Sequence, residues 1–352
     1  MHLWHRIFAA FVVAISLAFQ APSASAEASI GVQMEEFRVP SVAAGLSLYV
    51  RNKHPSKMTR FSPNKTLLFV HGAGYPAEST FDLELDGLSW MDYIAQHGYD
   101  VYLVDLRGYG RSSRPPQMDQ PPQNNPPLER TKDAVNDVGS AVDFILKRRG
   151  ISKLDLMGWS WGTAIMGAYT AQFSEKVNKL ALYAVRWIEK TPSPVTPGST
   201  LGAYRSITID SAKQRWLDGV PDDQRRDIIP AGWFEKWAAA TLATDPVGSA
   251  RHPAVFRAPN GVTLDSREYW QAGKPYYDPG QIRVPTLLIH AELDQDLPTY
   301  MDDAYFPLLT NAPYKRYVQI GGGTHFIMME RNRMELFHEV QLFLDEEFTP
   351  GM

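Results

Sequence analysis

The stretch Leu156-Met157-Gly158-Trp159-Ser160-Trp161-Gly162-Thr163 sets a serine between two glycines, directly after a short apolar run and directly before a helix-like one. This is the G-x-S-x-G pattern in strand-turn-helix context, which presents a serine hydroxyl at the tip of a sharp turn. Such a turn strains the serine backbone and brings strand and helix so close that a side chain at either glycine would collide. The plainer reading is a glycine-rich turn whose serine caps the helix. The two readings separate on whether the rest of the chain supplies partners for that hydroxyl.

Outward from this turn the chain alternates strand and helix patterns. Thr66 to Val70, closed by His71-Gly72-Ala73-Gly74, and Val101 to Val104, closed by Asp105 to Gly110, are apolar on both faces, as parallel strands between helix layers are. Leu88, Met91, Ile94 and Ala95 recur at helical spacing between them. From Asp133, Ala134, Val138, Ala141, Val142, Ile145 and Leu146 form a stripe that ends in a basic turn and Gly150. Strand Leu154 to Met157, helix Thr163 to Phe173 and strand Val177 to Val185 continue the succession. Right-handed βαβ units and one mostly parallel α/β sheet follow. Ahead of them, Met34 to Val39 and Leu46 to Asn52 read as an antiparallel hairpin at the sheet edge.

The rhythm breaks from Arg186 to about Gln281, where short helix-like pieces rich in tryptophan and proline show no strand alternation. It resumes with a strand at Thr286 to Ile289, a helix near Met301 to Leu309, a strand at Tyr317 to Ile320 and a last helix from about Met329 to Phe348. Residues 27–185 and 282–352 are therefore expected to form the sheet domain, with 186–281 as an inserted helical cap. Arg114 to Pro127 carries three proline pairs amid glutamine and asparagine. It reads as a solvated, extended connector, although loops at the carboxyl ends of strands can border a ligand site.

A serine hydroxyl needs a base to take its proton and a third group to hold that base in one tautomer. Two loops late in the chain carry such residues: His290-Ala291-Glu292-Leu293-Asp294-Gln295-Asp296-Leu297-Pro298, and Gly321-Gly322-Gly323-Thr324-His325-Phe326. With these in view the chain resembles the α/β-hydrolase superfamily, in its branch with a helical cap after the sixth sheet strand. The resemblance covers nearly all of the chain after the leader and implies the order serine, acid, histidine. Its D-x-x-x-P pattern fits Asp294 with Pro298, while Asp296 and Glu292 are neighbours that can stand in. The implied base is His325; His290, at a strand end, reads as a core residue, and His54 and His97 precede the serine. The family's H-G-x motif matches at His71-Gly72-Ala73. It implies an oxyanion hole from the N–H groups of Ala73 and Trp161, with His71 shaping the loop. Asp105 to Ser112 resembles the family's D-x-R-G-x-G-x-S segment, a turn stabiliser. It lacks the G-K-[ST] ending that a nucleotide phosphate loop requires.

Serine at position 160 removes the aspartate nucleophile of haloalkane dehalogenases and epoxide hydrolases. Acyl transfer to water remains. Trp159 and Phe326 flank the implied site, and Trp187, Trp216, Trp233, Trp237 and Trp270 lie in the cap. These aromatics suit a hydrophobic or aromatic ester, or else they pack the cap onto the body. A prolyl aminopeptidase or amidase is the alternative, since S-W-G is shared with prolyl iminopeptidases. The chain departs from their H-G-G-P-G motif, reading His71-Gly72-Ala73-Gly74-Tyr75, and has no clear acidic pair for a free amino terminus. A non-catalytic binding protein on the same scaffold is the third reading.

The first six residues, Met1 to Arg6, are weakly basic, Ile7 to Phe19 are apolar, and Ala24-Ser25-Ala26 forms an A-x-A site. This is a secretory signal peptide, with a mature start near Glu27 and a periplasmic or secreted destination. A membrane anchor is the competing reading, but the run is short and no second run of spanning length follows, so no stable insertion is expected after cleavage. Removing the leader takes away Arg6 alone among charged residues and moves the net charge from -4 to -5. So mild an acidity gives no reason to expect a nucleic-acid partner. At 352 residues and 44% hydrophobic content the chain can bury a large core. With no cysteine it holds no disulfide and no thiolate metal site. A small-molecule substrate is expected, with no cofactor and no metal.

Overall fold

The computed structural model describes residues 31–190 and 200–348; the expected leader and the first residues of the mature chain lie outside them. Runs that are apolar at every position become strands covered on both faces. β3 (Thr66–Val70), β4 (Asp100–Asp105), β5 (Leu154–Trp159) and β9 (Thr286–Ala291) are buried along their whole length. With β1 (Val32–Pro40), β2 (Ser47–Pro55), β6 (Val177–Tyr183) and β10 (Lys315–Ile320) they form one eight-stranded sheet in the order β1-β2-β4-β3-β5-β6-β9-β10. β1 with β2 and β2 with β4 pair antiparallel, and the remaining pairs are parallel. The hairpin therefore forms one end of the sheet, as its alternating pattern predicts, and its two strands are longer than expected, whereas β6 stops two residues short.

Helices cover the faces. The helix Thr131–Arg149 buries Ala134, Val138, Ala141, Val142 and Ile145, and it stops at Gly150, which adopts φ +65°. The helix Trp161–Gln172 starts immediately after Ser160, two residues earlier than the apolar pattern suggests. In the register of β5, Gly158 pairs with Val70 of β3 on one side and Leu182 of β6 on the other. Ser160 thus leaves the carboxyl end of a central strand, beside the loop that follows β3.

The chain between β6 and β9 departs from the expectation of helices alone. β7 (Tyr204–Thr208) and β8 (Val255–Pro259) pair antiparallel as a separate two-stranded sheet. Arg257 hides this strand from a periodicity reading, because it is buried in β8 against the Asp245 carboxylate at 2.7 Å. Helices Ile209–Trp216 and Trp233–Ala243 lie between the two strands. The proline-rich segment is exposed at many positions, as a connector is, but it is also anchored. It forms short turns at Pro116–Asp119 and Pro122–Asn124 and buries Met118 completely against Ala203 and Tyr204. Two backbone carbonyls of the segment serve the insertion: Met118 O accepts from Arg257 at 2.6 Å, and Pro122 O accepts from Ala203 N–H at 2.8 Å.

Candidate active site

Ser160 sits at φ 58°, ψ -122°, a region that non-glycine residues avoid at a cost of about 1–3 kcal/mol. Its surroundings over-determine that conformation. Its N–H donates to Tyr183 O at 3.0 Å, and its carbonyl accepts from Thr163 N at 2.9 Å and Thr163 Oγ1 at 2.6 Å. A Cβ on Gly158 would strike the Gly162 carbonyl, and one on Gly162 would stand 2.5 Å from Val70 O. Backbone contacts therefore force both glycines of the motif.

The two late loops meet beside this turn. His325 Nδ1 lies 2.7 Å from Asp294 Oδ2, and both side chains are buried. Asp294 Oδ1 accepts from Leu297 N at 2.9 Å, which fixes the carboxylate. Trp159 Nε1 donates to His325 O at 3.0 Å and ties the histidine loop to the residue before the serine. With Nδ1–H given to Asp294, the proton-free nitrogen is Nε2, the form a general base needs. Nε2 is buried and has no hydrogen-bond partner among the described residues; the bond between Ser160 Oγ and the imidazole is not closed. Such bonds commonly tighten only when substrate is in place.

The other acids of the first loop serve elsewhere. Asp296 lies 3.8 Å from His325 Nε2, but Arg215 holds it by contacts of 2.7 and 2.8 Å. Burial works toward a higher pKa there, and the Arg215 charge, helped by His325, outweighs it and keeps the carboxyl below the usual range. Glu292 is exposed and accepts from Gly322 N at 2.8 Å. His290 is a core residue, bonded to Asp302 at 2.9 Å and to Thr299 at 3.0 Å.

His71 donates from Nδ1 to Gly72 O at 2.7 Å and accepts Leu106 N–H on Nε2 at 3.1 Å. Burial pushes its pKa down to about 4, so it holds the loop as a neutral ring. Asp105 stabilises the neighbouring turn by accepting from Ala77 N at 2.8 Å and Arg111 N at 2.9 Å. The expected oxyanion donors, Ala73 and Trp161, lie on either side of Ser160. Neither N–H enters a hydrogen bond among the described residues. A Cβ on Gly72 would stand 2.9 Å from Ser160 Cβ, so the Ala73 loop reaches the serine only because residue 72 has no side chain.

Trp159 and Phe326, expected as pocket walls, are buried and lie against the His325 ring, at 5.2 and 5.3 Å between ring centres. Phe326 packs on Trp216 at 5.0 Å and Tyr75 at 5.4 Å, and Trp237 packs on Tyr75 at 4.7 Å. The aromatics join the insertion to the sheet domain. Glu330, which no motif marks, links the two as well: it accepts from Thr324 N at 3.0 Å and Trp216 Nε1 at 2.8 Å. Sequence reading also missed Arg186, Arg205 and Arg215. They lie in or at the root of the insertion, where no pattern distinguishes an arginine that faces the site from one that faces solvent. A cavity of about 260 Å³ lies apart from the serine, between Glu78, Asp82, Arg111 and Thr244, where the acids are already paired with arginines.

Comparison with known proteins agrees with the fold. A Synechocystis sp. protein assigned by name as a non-heme chloroperoxidase is 25% identical over 267 residues, 73% of this chain and 86% of the relative. The 2-hydroxy-6-oxo-6-phenylhexa-2,4-dienoate hydrolase of Rhodococcus sp. RHA1 shares the fold with a TM-score of 0.59 at 18% identity, covering 89% of this chain and 99% of its own. An esterase of Thermogutta terrifontis does so with a TM-score of 0.58 at 16% identity, covering 88% and 98%. Residues 65–332 match the family model of the alpha/beta hydrolase fold, and the chain belongs to that family.

Proposed function

We propose that this hydrolase is an exported serine hydrolase that cleaves a carboxylic ester through an acyl-enzyme. The observation that carries the reading is the 2.7 Å contact between His325 Nδ1 and Asp294 Oδ2, buried beside a serine held at φ 58°. Ser160 Oγ attacks the ester carbonyl carbon while His325 Nε2 takes the hydroxyl proton, and the carbonyl electron pair moves onto oxygen. The N–H groups of Ala73 and Trp161 receive that oxyanion, each such donor contributing about 3 kcal/mol. Collapse expels the alcohol, which leaves with the proton from His325. A water molecule then repeats the sequence on the acyl-serine, giving the acid and free Ser160. Asp294 keeps the imidazole in its tautomer and balances the imidazolium charge. Residues 186–281 serve as the cap of this site in this reading, and the leader over residues 1–26 sends the mature chain, starting near Glu27, to the periplasm or beyond.

The aminopeptidase alternative is weaker. The carboxylates at the mouth, Asp296 and Glu189, are each paired with an arginine and are not free for an amino terminus. The test compares initial rates on p-nitrophenyl butyrate and prolyl p-nitroanilide, with fluorophosphonate labelling of Ser160. Ester turnover with labelling is the expected result. Turnover of the anilide alone favours the aminopeptidase, and neither turnover nor labelling favours a binding protein. Amino-terminal sequencing of the exported protein tests the cleavage site.

A further inference from the structure

Charged side chains join aromatic rings around the Ser160 site, where Arg215 lies 5.6 Å from the centre of the Phe326 ring. Arg205 leaves β7 and donates from Nη2 to Ala73 O, the carbonyl of the residue whose N–H is the proposed oxyanion donor. Its Nη1 donates to Pro259 O at 2.6 Å. Arg215, on the helix Ile209–Trp216, reaches within 3.2 Å of where a Cβ on Gly74 would stand and pairs with Asp296. Arg186 follows β6. Its backbone N–H donates to Thr163 Oγ1 at 2.9 Å, and its guanidinium, 4.6 Å above the Trp270 ring, pairs with Glu189.

Two of these three guanidinium groups are held by carboxylates, and Asp294, bonded to His325, adds its charge near Arg215. Asp296 answers Arg215 and Glu189 answers Arg186, whereas Arg205 meets only neutral acceptors among the described residues. Burial, and after it the nearby charge of Arg215, work against the protonated form of Arg205, with Tyr109 opposing them. A half-buried cation without a counter-charge is an expensive feature unless an anion completes it. The Tyr109 hydroxyl is the other neutral group beside the guanidinium, and Nε with Nη2 forms the edge that takes a carboxylate in bidentate fashion.

We propose that Arg205, supported by Arg215 and Arg186, is the subsite for a carboxylate carried by the substrate, so that the preferred substrate is a half-ester of a short dicarboxylic acid. The inference rests on the serine-hydrolase reading and replaces the neutral aromatic ester with an anionic one. The acid is short because one residue, Ala73, offers its carbonyl to Arg205 and its N–H to the reacting oxygen.

The experiment measures kcat/KM of the mature wild-type chain by acid release. Its substrates are monomethyl glutarate and methyl 5-methylhexanoate, in which an isopropyl group replaces the carboxylate. The anionic ester is expected to be favoured about 10- to 100-fold, the worth of a hydrogen bond to a charged group, and the preference falls with added salt. Arg205→Gln brings the ratio close to one while Ser160 still reacts with a fluorophosphonate, and Arg205→Lys keeps part of the preference. If the wild type turns over both esters equally, the subsite is refuted and the hydrolase reading stands; this comparison needs no variant to fold. If Arg205→Gln slows both esters alike, Arg205 only clamps the Ala73 loop and the proposal is overturned. If neither ester is cleaved and Ser160 is unlabelled, the hydrolase reading itself fails, and the subsite with it.

Discussion

Asp294→Asn removes one charge while keeping the shape of the side chain, which makes it the sharpest probe of the site. In the parent, one carboxylate oxygen accepts from Leu297 N at 2.9 Å and the other faces His325 Nδ1 at 2.7 Å. Asparagine has a single oxygen for these two demands. If that oxygen stays with Leu297, the amide NH2 faces Nδ1, and the ring must move its proton to Nε2. It then presents a donor, not a lone pair, toward the serine and takes no proton from the hydroxyl. If the amide turns the other way, its NH2 meets the Leu297 N–H, and a buried donor is left unpaired at about 1–3 kcal/mol. In both arrangements the imidazolium of the transition state loses its counter-charge. The expected loss in kcat is about 10³- to 10⁴-fold, or about 4–5 kcal/mol of activation free energy. Initial rates on p-nitrophenyl butyrate measure it, and thermal melting of the same preparation separates catalytic loss from unfolding. Asp296→Asn leaves the tautomer unchanged and should cost about tenfold or less. A variant at 294 within tenfold of the parent, beside one at 296 that is inactive, would refute the acid assignment.

Gly72→Ala puts a methyl group 2.9 Å from Ser160 Cβ and 3.3 Å from its Oγ, so turnover should fall about 10- to 100-fold with a melting temperature close to the parent's; an unchanged rate would show that the Ala73 loop does not need that approach. Ser160→Ala and His325→Ala should lower kcat to similar floors, and the double variant should fall little further; additive losses in the same rate assay would mean that the two do not act as a unit. Burial pushes Glu330 up to about 7 from its ordinary 4.5, so the folded chain holds a proton there that the unfolded chain has released. Stability then falls as pH rises from about 4.5 to about 7, and Asp155, up to about 7, and Asp302, up to about 6, act in the same direction. The melting temperature of Glu330→Gln should decline less across that window, and melting curves that stay parallel to the parent's would rule the assignment out.

The sheet is legible in the sequence because its strands are covered on both faces and tolerate almost no polar residue; Leu67 to Val70 and Leu287 to Ile289 need no partner to be recognised. The turn at Ser160 is legible for a different reason. Its two glycines answer backbone atoms, Gly162 O and Val70 O, and backbone contacts leave a mark on sequence that survives any choice of side chains around them. The acid is harder, since Glu292, Asp294 and Asp296 lie within one loop and differ only in where the turn before Pro298 aims them. The insertion is illegible for the opposite reason to the sheet. Buried Arg257 breaks the apolar pattern of β8, and the proline-rich segment that reads as a connector offers the insertion two carbonyls, those of Met118 and Pro122.

The tryptophans show how much of the aromatic content serves packing between elements. An indole carries a large apolar surface and one N–H that must find an acceptor when buried. Trp159 gives its N–H to His325 O, Trp161 to Thr131 Oγ1, Trp216 to Glu330 and Trp233 to Asp86. Each of these bonds spans two elements and fixes its ring at a seam, whereas Trp90, Trp237 and Trp270 are buried with Nε1 unpartnered among the described residues. Long stems carry charged ends past such rings, and Arg215 lies over the rings of Tyr75 and Phe326. On the carboxylate-subsite proposal, the rings hold the insertion in place while the arginines of the insertion supply the charge that a substrate would meet.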